Sequence, residues 1–369
     1  MKRSSYLTSG LGLLLCAQLA RAENAITWEV AYTGDYLSNT SGGVAQKDAY
    51  LDNLDLTLEV DMDKACNYQG GTFFVYGLAN NNKTFSDKVG DAQVTSNIDN
   101  EDVVRLYELW YEQAFRTNSF KLGLIDLNSE FDAIEPAGLF MNSSHGIGPD
   151  YSQSGVNGPS IFPSTSLGFR YFQEMGERFS LRTAVFDAVP GDPNEARKNS
   201  VKLNSDEGAL LALEVNYKVN RLRYALGTWL YTQDTPTMTA TTSKKNSGYY
   251  GFVEHVARLS SWLRIGCADS EINQFSFYTG AGCTYKLFPE SRPDDLIGLA
   301  VARVENSEDY QKTGAFDTAE TNFELTYQAP ICKVFTIQPN VQYILNPGMD
   351  PALNNALVVG LRCTLAFGN

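Results

Sequence analysis

Apolar and polar side chains alternate along much of this chain, and this period of two constrains the fold more than any other feature. In residues 357–367 the odd positions carry Leu, Val, Leu, Cys, Leu and Phe, whereas the even positions carry Val, Gly, Arg, Thr and Ala. Successive side chains of a β-strand point to opposite faces, so this segment has one apolar face and one small or polar face. The pattern recurs in residues 26–33, 54–61 and 222–230. The chain is therefore predicted to be all-β.

Sixteen strand-like segments can be counted along the chain, an even number as an antiparallel barrel requires. The facing of the third and tenth segments is unclear from the pattern alone. The segments lie near residues 25–36, 50–62, 71–80, 105–115, 119–127, 166–173, 179–189, 208–219, 222–233, 248–258, 260–269, 274–286, 295–306, 319–329, 333–345 and 355–367.

The connections between these segments differ in length in a regular way. Connections after even-numbered strands are mostly short, at 116–118, 174–178, 220–221 and 329–331. Connections after odd-numbered strands are mostly long, at 37–49, 81–104, 128–165, 190–207, 234–247, 307–318 and 346–354. Short turns at one end and long loops at the other indicate a 16-stranded antiparallel transmembrane β-barrel of the outer membrane. A soluble protein of two β-sandwiches is the alternative, although it has no reason to separate long loops from short turns.

The first 22 residues are predicted to be a secretory signal peptide. They contain basic Lys2 and Arg3, an apolar run at 11–20, and the small-residue cleavage site Ala20-Arg21-Ala22. We therefore expect export through cleavage of residues 1–22. Residues 23–369 would then form the barrel in the outer membrane of a Gram-negative bacterium, in contact with lipid and lipopolysaccharide.

The composition argues against several other functions. The chain has 43 acidic and 29 basic residues and a formal net charge of −14, so it is a poor candidate for binding nucleic acid. Five cysteines remain after the signal peptide, an odd number without metal-ligand spacing. No metal site, cofactor or disulfide framework is expected, although a Cys66–Cys332 bridge is conceivable.

Several longer motifs resemble the carbohydrate-selective porin family, which includes the glucose porin OprB. These motifs are GLIDLNSEFD (123–132), LFMNSSHGIGPDYSQSGVNGPSIFP (139–163), AVFDAVPGDP (184–193), GTWLYT (227–232) and QPNVQYILNPGMDPALNNALVVGLR (338–362). The resemblance implies a sixteen-stranded channel for passive diffusion of small sugars such as glucose, and it leaves monomer or homotrimer open. The chain departs from common outer-membrane barrels by ending on Gly368 and Asn369 rather than on an aromatic residue.

The Gly-, Pro-, Ser- and Asn-rich segment 128–165 would be the third external loop. Porins of this strand number fold that loop into the channel and narrow it, and the resemblance implies the same here. A loop inside a water-filled lumen needs no regular secondary structure, because water and wall side chains satisfy its backbone. Residues 128–165 are therefore predicted to form a constriction loop.

A channel that prefers sugars needs aromatic faces for the C–H side of the ring and charged groups for the hydroxyls. In RLYELWYEQAF (105–115), one face carries Tyr107, Leu109 and Tyr111 and the other carries charged residues around a Trp. If the first face meets lipid, alternation turns the second toward the lumen, together with inward residues of neighbouring strands. The predicted constriction residues are Glu108, Trp110, Glu112, Arg170, Arg182, Glu214, Trp229 and, from the loop, Asn142.

Other readings of the inward charges and of the loop remain open at this stage. Arg264 and Arg362 are also predicted to face the lumen, where they and other charges could simply pair to rigidify the wall. His145 and Asp150 could reach the constriction from the loop, or be solvated. A general or anion-preferring porin is therefore an alternative.

A barrel enzyme and a plugged structural barrel are the remaining rivals. The only histidines are His145 and His255, and Ser144 beside His145 is too close in sequence to indicate a catalytic triad. Small inward residues such as Ala225 and Gly227 favour an open pore over a plugged barrel. We therefore do not expect an enzyme.

Overall fold

The alternating segments form one closed sheet in the computed structural model, which describes residues 25–80, 84–195, 197–198, 200–201, 204 and 206–369. The predicted signal peptide, 1–22, lies outside the described residues. The strands are β1 (Ile26–Ser41), β2 (Asp48–Asp61), β3 (Gly71–Asn80), β4 (Val103–Ala114), β5 (Asn118–Ile125), β6 (Ser166–Met175), β7 (Phe179–Asp187), β8 (Ala209–Val219), β9 (Leu222–Pro236), β10 (Ser243–His255), β11 (Leu259–Ala268), β12 (Phe275–Phe288), β13 (Arg292–Asn306), β14 (Ala319–Cys332), β15 (Phe335–Leu345) and β16 (Ala356–Gly368).

Each strand pairs with its neighbours in sequence, and β1 closes the barrel against β16. The closing register pairs Val30 with Phe367 and Tyr36 with Leu361, in antiparallel orientation. A closed sheet leaves no unpaired edge, which is the condition for strands in a lipid bilayer. The sixteen predicted strands are confirmed, and the two-sandwich alternative is wrong because one sheet contains them all.

The two faces of the sheet have opposite character to those of a soluble barrel. Apolar side chains that point outward are exposed, with Leu226 at 72% and Phe367 at 49%, whereas the polar inward side chains of Asn322 and Gln342 are fully buried. An apolar outer band around a polar interior is the arrangement that hydrocarbon requires. Among the described residues, no helix has the length and apolar character to cross a bilayer.

Within the described residues, the helical elements of the connections are all short. Four are α-helical: α1 (Met62–Cys66), α2 (Ser86–Val89), α3 (Pro149–Ser152) and α4 (Glu308–Gln311). The 3-10 turns are Leu127–Ser129, Glu135–Leu139, Ser143–His145 and Pro347–Met349. Two predicted long loops, 37–49 and 234–247, are wrong because strand pairing continues through most of each, leaving only 42–47 and 237–242 outside the sheet.

A bulge in β4 changes which way one predicted outward residue points. Opposite β3, Tyr76 pairs with Glu108 but the next residue, Gly77, pairs with Leu106, so Tyr107 is the extra residue. Tyr107 is 3% exposed, and its ring packs edge-on against the inward Tyr76 at 4.9 Å between centroids. The expectation that Tyr107 faces lipid is therefore wrong.

The five cysteines in the described part of the chain do not pair. Cys66, Cys267, Cys283, Cys332 and Cys363 are all free thiols. The conceivable Cys66–Cys332 bridge is therefore absent.

Candidate functional site

The long segment between β5 and β6 lies inside the barrel and contacts wall strands from β4 to β15. Its strongest attachment is Arg264 of β11, which is 3% exposed. The guanidinium donates to Asp132 at 2.6 and 3.0 Å and to Asp150 at 2.6 and 3.2 Å. These charge-assisted hydrogen bonds tie two distant points of the loop to one strand. Arg264 thus serves the pairing role that the sequence left open.

Carboxylates on the wall also hold the loop by its backbone. The side chain of Glu214 accepts from the Asp132 N–H at 2.9 Å, and that of Glu324 accepts from two consecutive loop N–H groups, at 2.7 and 2.9 Å. Glu254 accepts from the Glu135 N–H at 2.8 Å. The short helical turns of the loop leave backbone donors unsatisfied, and these inward glutamates supply the missing acceptors.

Aromatic packing fills the space between this loop and the wall. Tyr151 of α3 stacks on Trp229 with centroids 5.0 Å apart and planes 2° apart, and Phe140 lies 5.2 Å from Trp262. Gly227 on the wall leaves room for a neighbouring ring, since a Cβ there would collide with Tyr250. Small inward residues therefore do not by themselves indicate open space, contrary to the sequence-based expectation at Ala225 and Gly227.

A second loop, 84–102, also enters the lumen, which the sequence did not indicate. Glu320 accepts from the N–H groups of Ala92 and Gln93, at 2.8 and 3.1 Å. The Ser96 hydroxyl donates to Asp35 at 2.7 Å, and Asp35 also accepts two hydrogen bonds from Arg362, at 2.7 and 2.8 Å. The Asp35–Arg362 pair therefore connects β1 and β16 with this loop.

Two cavities lie on either side of the constriction loop. One, of about 760 Å³, is on the long-loop side and includes Asp99, Asp126 and Asn128 in its lining. The other, of about 700 Å³, reaches the short turn at 220–221 and includes Ser129 and Glu130. Because Asn128 lines the first cavity and Ser129 the second, the loop segment 128–130 lies between the two cavities.

Six charged side chains of both signs converge beside the loop segment 128–130. Arg170 donates to Glu112 at 2.8 Å and to Glu130 at 2.9 Å, and Lys121 lies 2.5 Å from Glu130. Arg182 lies 3.5 Å from Glu130 and 3.6 Å from Glu214, which is too long for strong hydrogen bonds. Three cations and three carboxylates leave the cluster without net charge.

The predicted constriction residues separate into two groups. Glu112 and Arg182 keep 23% and 24% of their side-chain surface exposed, and they flank the buried Arg170. Glu108 and Trp110 face the same side of the lumen, where Glu108 accepts from the Asp126 N–H at 2.9 Å and so fixes the start of the loop. These five residues therefore lie close to the loop segment 126–130, directly or through Lys121.

The other three predicted residues point inward but are covered by the loop. Glu214 is 0%, Trp229 1% and Asn142 1% exposed. Glu214 and Trp229 bind the loop as described, and Asn142 bonds within the loop and to Gln342 at 3.3 Å. Of these three, only Glu214 reaches the charged cluster, from beneath the loop, and none of them is exposed to a solute. Alternation gave the direction of the wall residues, but it could not show that the loop would lie on them.

The sequence analysis did not identify two residues of this charged cluster, Lys121 and Glu130. Lys121 alternates with the outward Phe120 and Leu122, so the same pattern could have found it. Glu130 lies in the loop, where no period exists, and no sequence signal identifies it.

The residues considered for catalysis do not form a catalytic pair. The Ser144 hydroxyl donates to the Gln93 carbonyl at 3.4 Å, while the His145 ring packs between Phe140 and Trp262, with centroid distances of 5.0 and 6.0 Å. A nucleophile needs a base within hydrogen-bond reach, which this arrangement does not provide. Across the part of the chain that the structure describes, no group of three His, Cys, Asp or Glu residues is arranged to hold a metal ion.

Comparison with known proteins agrees with this architecture. The chain matches the model of the family described as carbohydrate-selective porin, OprB family, over residues 45–367. It is 22% identical to Porin B of Pseudomonas aeruginosa over 406 residues, which cover 94% of this chain and 88% of that protein. A high-pH structure of Pseudomonas putida OprB has a TM-score of 0.83 at 20% identity, covering 97% of each chain.

A more distant porin shares the fold. An anion-selective porin from Comamonas acidovorans has a TM-score of 0.58 at 12% identity, over 93% of this chain and 99% of that one. Because the family model spans most of the barrel and the sixteen strands close as in the OprB structure, this chain belongs to the carbohydrate-selective porin, OprB family, and is an outer-membrane channel of Gram-negative bacteria.

Proposed function

We propose that this channel passes small neutral sugars of the glucose type by passive diffusion, through a weak binding constriction at residues 128–130. The observation that carries the proposal is the cluster of three carboxylates and three cations beside an aromatic wall. Sugar hydroxyls both donate and accept hydrogen bonds, and charged partners of both signs bind them most strongly. A cluster without net charge gives no reason to prefer an ion over a neutral solute.

Within this cluster, Glu112 and Arg182 are the residues we expect to contact the solute. Both keep about a quarter of their side-chain surface exposed. Arg182 is more than 3.4 Å from either carboxylate partner, and although its Nε is buried, its Nη donors remain available to a hydroxyl. Arg170 is buried and bonded to Ser119 at 2.6 Å as well as to its carboxylates, so it orders the cluster from behind. Such a site binds weakly, which throughput requires.

Blocking of the ionic current by glucose in planar bilayers tests this site. We expect Glu112→Gln and Arg182→Gln each to raise the glucose concentration for half-maximal block by roughly three- to tenfold, the effect of losing one hydrogen bond. Arg303→Gln is the matched control, because Arg303 lies on the outer face and pairs with Glu305. Unchanged block in both lumen variants would refute the site.

An anion-preferring channel is the second candidate. The cavity on the short-turn side, which is the periplasmic side of such barrels, has four cations and three carboxylates in its lining. The cations are Arg182, Lys218, Arg221 and Arg223, and the carboxylates are Glu130, Glu135 and Glu254. This small excess of cations would attract anions into the cavity next to the constriction and so favour their passage. Reversal potentials in a salt gradient separate the candidates: a strong anion preference together with slow glucose flux would favour the second.

We further propose that residues 1–22 are removed on export and that lipid and lipopolysaccharide contact the apolar outer face. The mass of the mature protein tests the cleavage. Native mass spectrometry in detergent distinguishes a monomer from a homotrimer.

A further inference from the structure

The ring of Trp110 is covered on both faces. Phe74 of β3 stacks on it, with centroids 4.8 Å apart and planes 22° apart. The Lys121 ammonium of β5 lies 3.9 Å from the Trp110 ring centroid. Because β3 and β5 flank β4 on opposite sides, these two groups occupy opposite faces of the indole. A sugar ring therefore has no face of Trp110 left to stack on.

The ring contacts continue from Phe74 along the wall to the cavity of about 760 Å³ on the long-loop side, which we call the external cavity. Phe74 lies 6.5 Å from Tyr76, Tyr76 lies 4.9 Å from Tyr107, and Tyr107 lies 6.3 Å from Phe162. Phe162 lines the external cavity, at the end of the constriction loop. The chain of rings thus joins the cavity where a solute arrives to the charged cluster beneath Trp110.

Exposure separates the rings that can touch a solute from those that support them. Phe74, Tyr76 and Phe162 are partly exposed, whereas Tyr107 is 3% exposed. The Tyr76 hydroxyl donates to Asp55 at 2.6 Å, which fixes that ring in place. Tyr76 and Phe162 pack against a buried apolar cluster that includes Tyr107, and the surface they leave uncovered offers an apolar contact inside a polar lumen.

We propose that Phe74, Tyr76 and Phe162 form an aromatic strip that guides pyranoses from the external cavity to the constriction. This inference rests on the proposed function, because it identifies the aromatic residues that would contact the transported sugar. The C–H face of a pyranose is apolar and matches a ring face, while its hydroxyls stay hydrated or meet the charged cluster. Trp110 and Tyr107 are positioning residues that hold the strip. The ligand class is therefore cyclic sugars rather than acyclic polyols of the same size.

The ratio of D-glucose flux to sorbitol flux in liposome swelling tests the strip, because sorbitol has the same number of carbons but no ring. We expect Phe74→Leu and Phe162→Leu, which keep an apolar side chain but lose the ring, each to lower this ratio by about two- to fivefold. Phe73→Leu is the matched control, since Phe73 is adjacent but 36% exposed on the outer face.

The outcomes separate this inference from the proposed function. A wild-type channel that passes glucose, with both lumen variants unchanged in the glucose-to-sorbitol ratio, overturns the strip alone. A wild-type channel that passes no glucose overturns the proposed function and the strip together.

Discussion

Replacing Arg264 by Gln should release the constriction loop from the wall. The wild-type guanidinium makes two-sided contact with Asp132 and Asp150, and all three side chains are at most 3% exposed. Gln keeps much of the length of Arg but carries no charge, so it leaves two buried carboxylates without a cationic partner. The substitution therefore tests whether the loop depends on this buried pair.

The cost of the substitution can be estimated from buried ion pairs in general. Removing one partner of such a pair destabilises the bound state by about 3–5 kcal/mol, because the remaining charge stays desolvated. At tenfold per 1.4 kcal/mol, the ratio of attached to released loop falls by about two to three and a half orders of magnitude. The remaining contacts of Glu214, Glu254 and Glu324 oppose release, so partial and fluctuating opening is expected rather than a permanently open pore.

Single-channel recording and hydrogen exchange of residues 132–151 measure this effect directly. Arg264→Gln should give larger or noisier conductance and faster amide exchange in the loop. The triple variant Arg264→Gln with Asp132→Asn and Asp150→Asn removes the unpaired charges, so it should restore much of the protection. Arg303→Gln, an exposed outer-face control, should change neither quantity. Wild-type conductance and wild-type exchange in Arg264→Gln would refute the reasoning.

Two further predictions concern the loop 84–102. Burial, partly offset by the Thr95 hydroxyl, raises the pKa of Asp91 to about 6 from 3.8. The native loop therefore binds a proton more readily than the unfolded chain does. As a result, the contribution of Asp91 to the free energy of unfolding falls as pH rises from about 4 to above 6. Asp91→Asn should raise the free energy of unfolding by up to about 3 kcal/mol at pH 8 and by almost nothing at pH 4. Thermal unfolding or amide exchange in this loop measures the change. An equal gain at both pH values would contradict this prediction. Val94 has φ of +57°, which is strained for a β-branched residue, so Val94→Gly should preserve or slightly raise loop protection. Gly90→Val, at φ +81° and against Val44 and Leu353, should lower it, and the opposite order in exchange rates would contradict the strain.

The strands could be predicted from the sequence because a barrel in lipid imposes alternation on every segment that crosses it. That rule placed Arg170, Arg182 and Glu112 on the lumen face. It failed at Tyr107, where one extra residue in β4 reverses the facing, and a single bulge leaves no mark in the hydrophobic pattern.

The interior of the barrel was harder to predict because its contents come from irregular loops. Glu130 and Asp150 have no periodic neighbours, so nothing in the sequence tells which wall residues they meet. Trp229 points inward as expected, but Tyr151 covers it. Periodicity gives the direction of a side chain, whereas its accessibility depends on what the loop places opposite.

Selective flux through the wild-type channel tests the central claim most directly, namely that the loop leaves a narrow aqueous passage suited to small neutral sugars. Liposomes containing the purified protein should swell rapidly in D-glucose, more slowly in maltose, and more slowly again in gluconate, a charged solute close in size to glucose. Equal rates for glucose and gluconate, or no swelling in any of the three, would contradict the account.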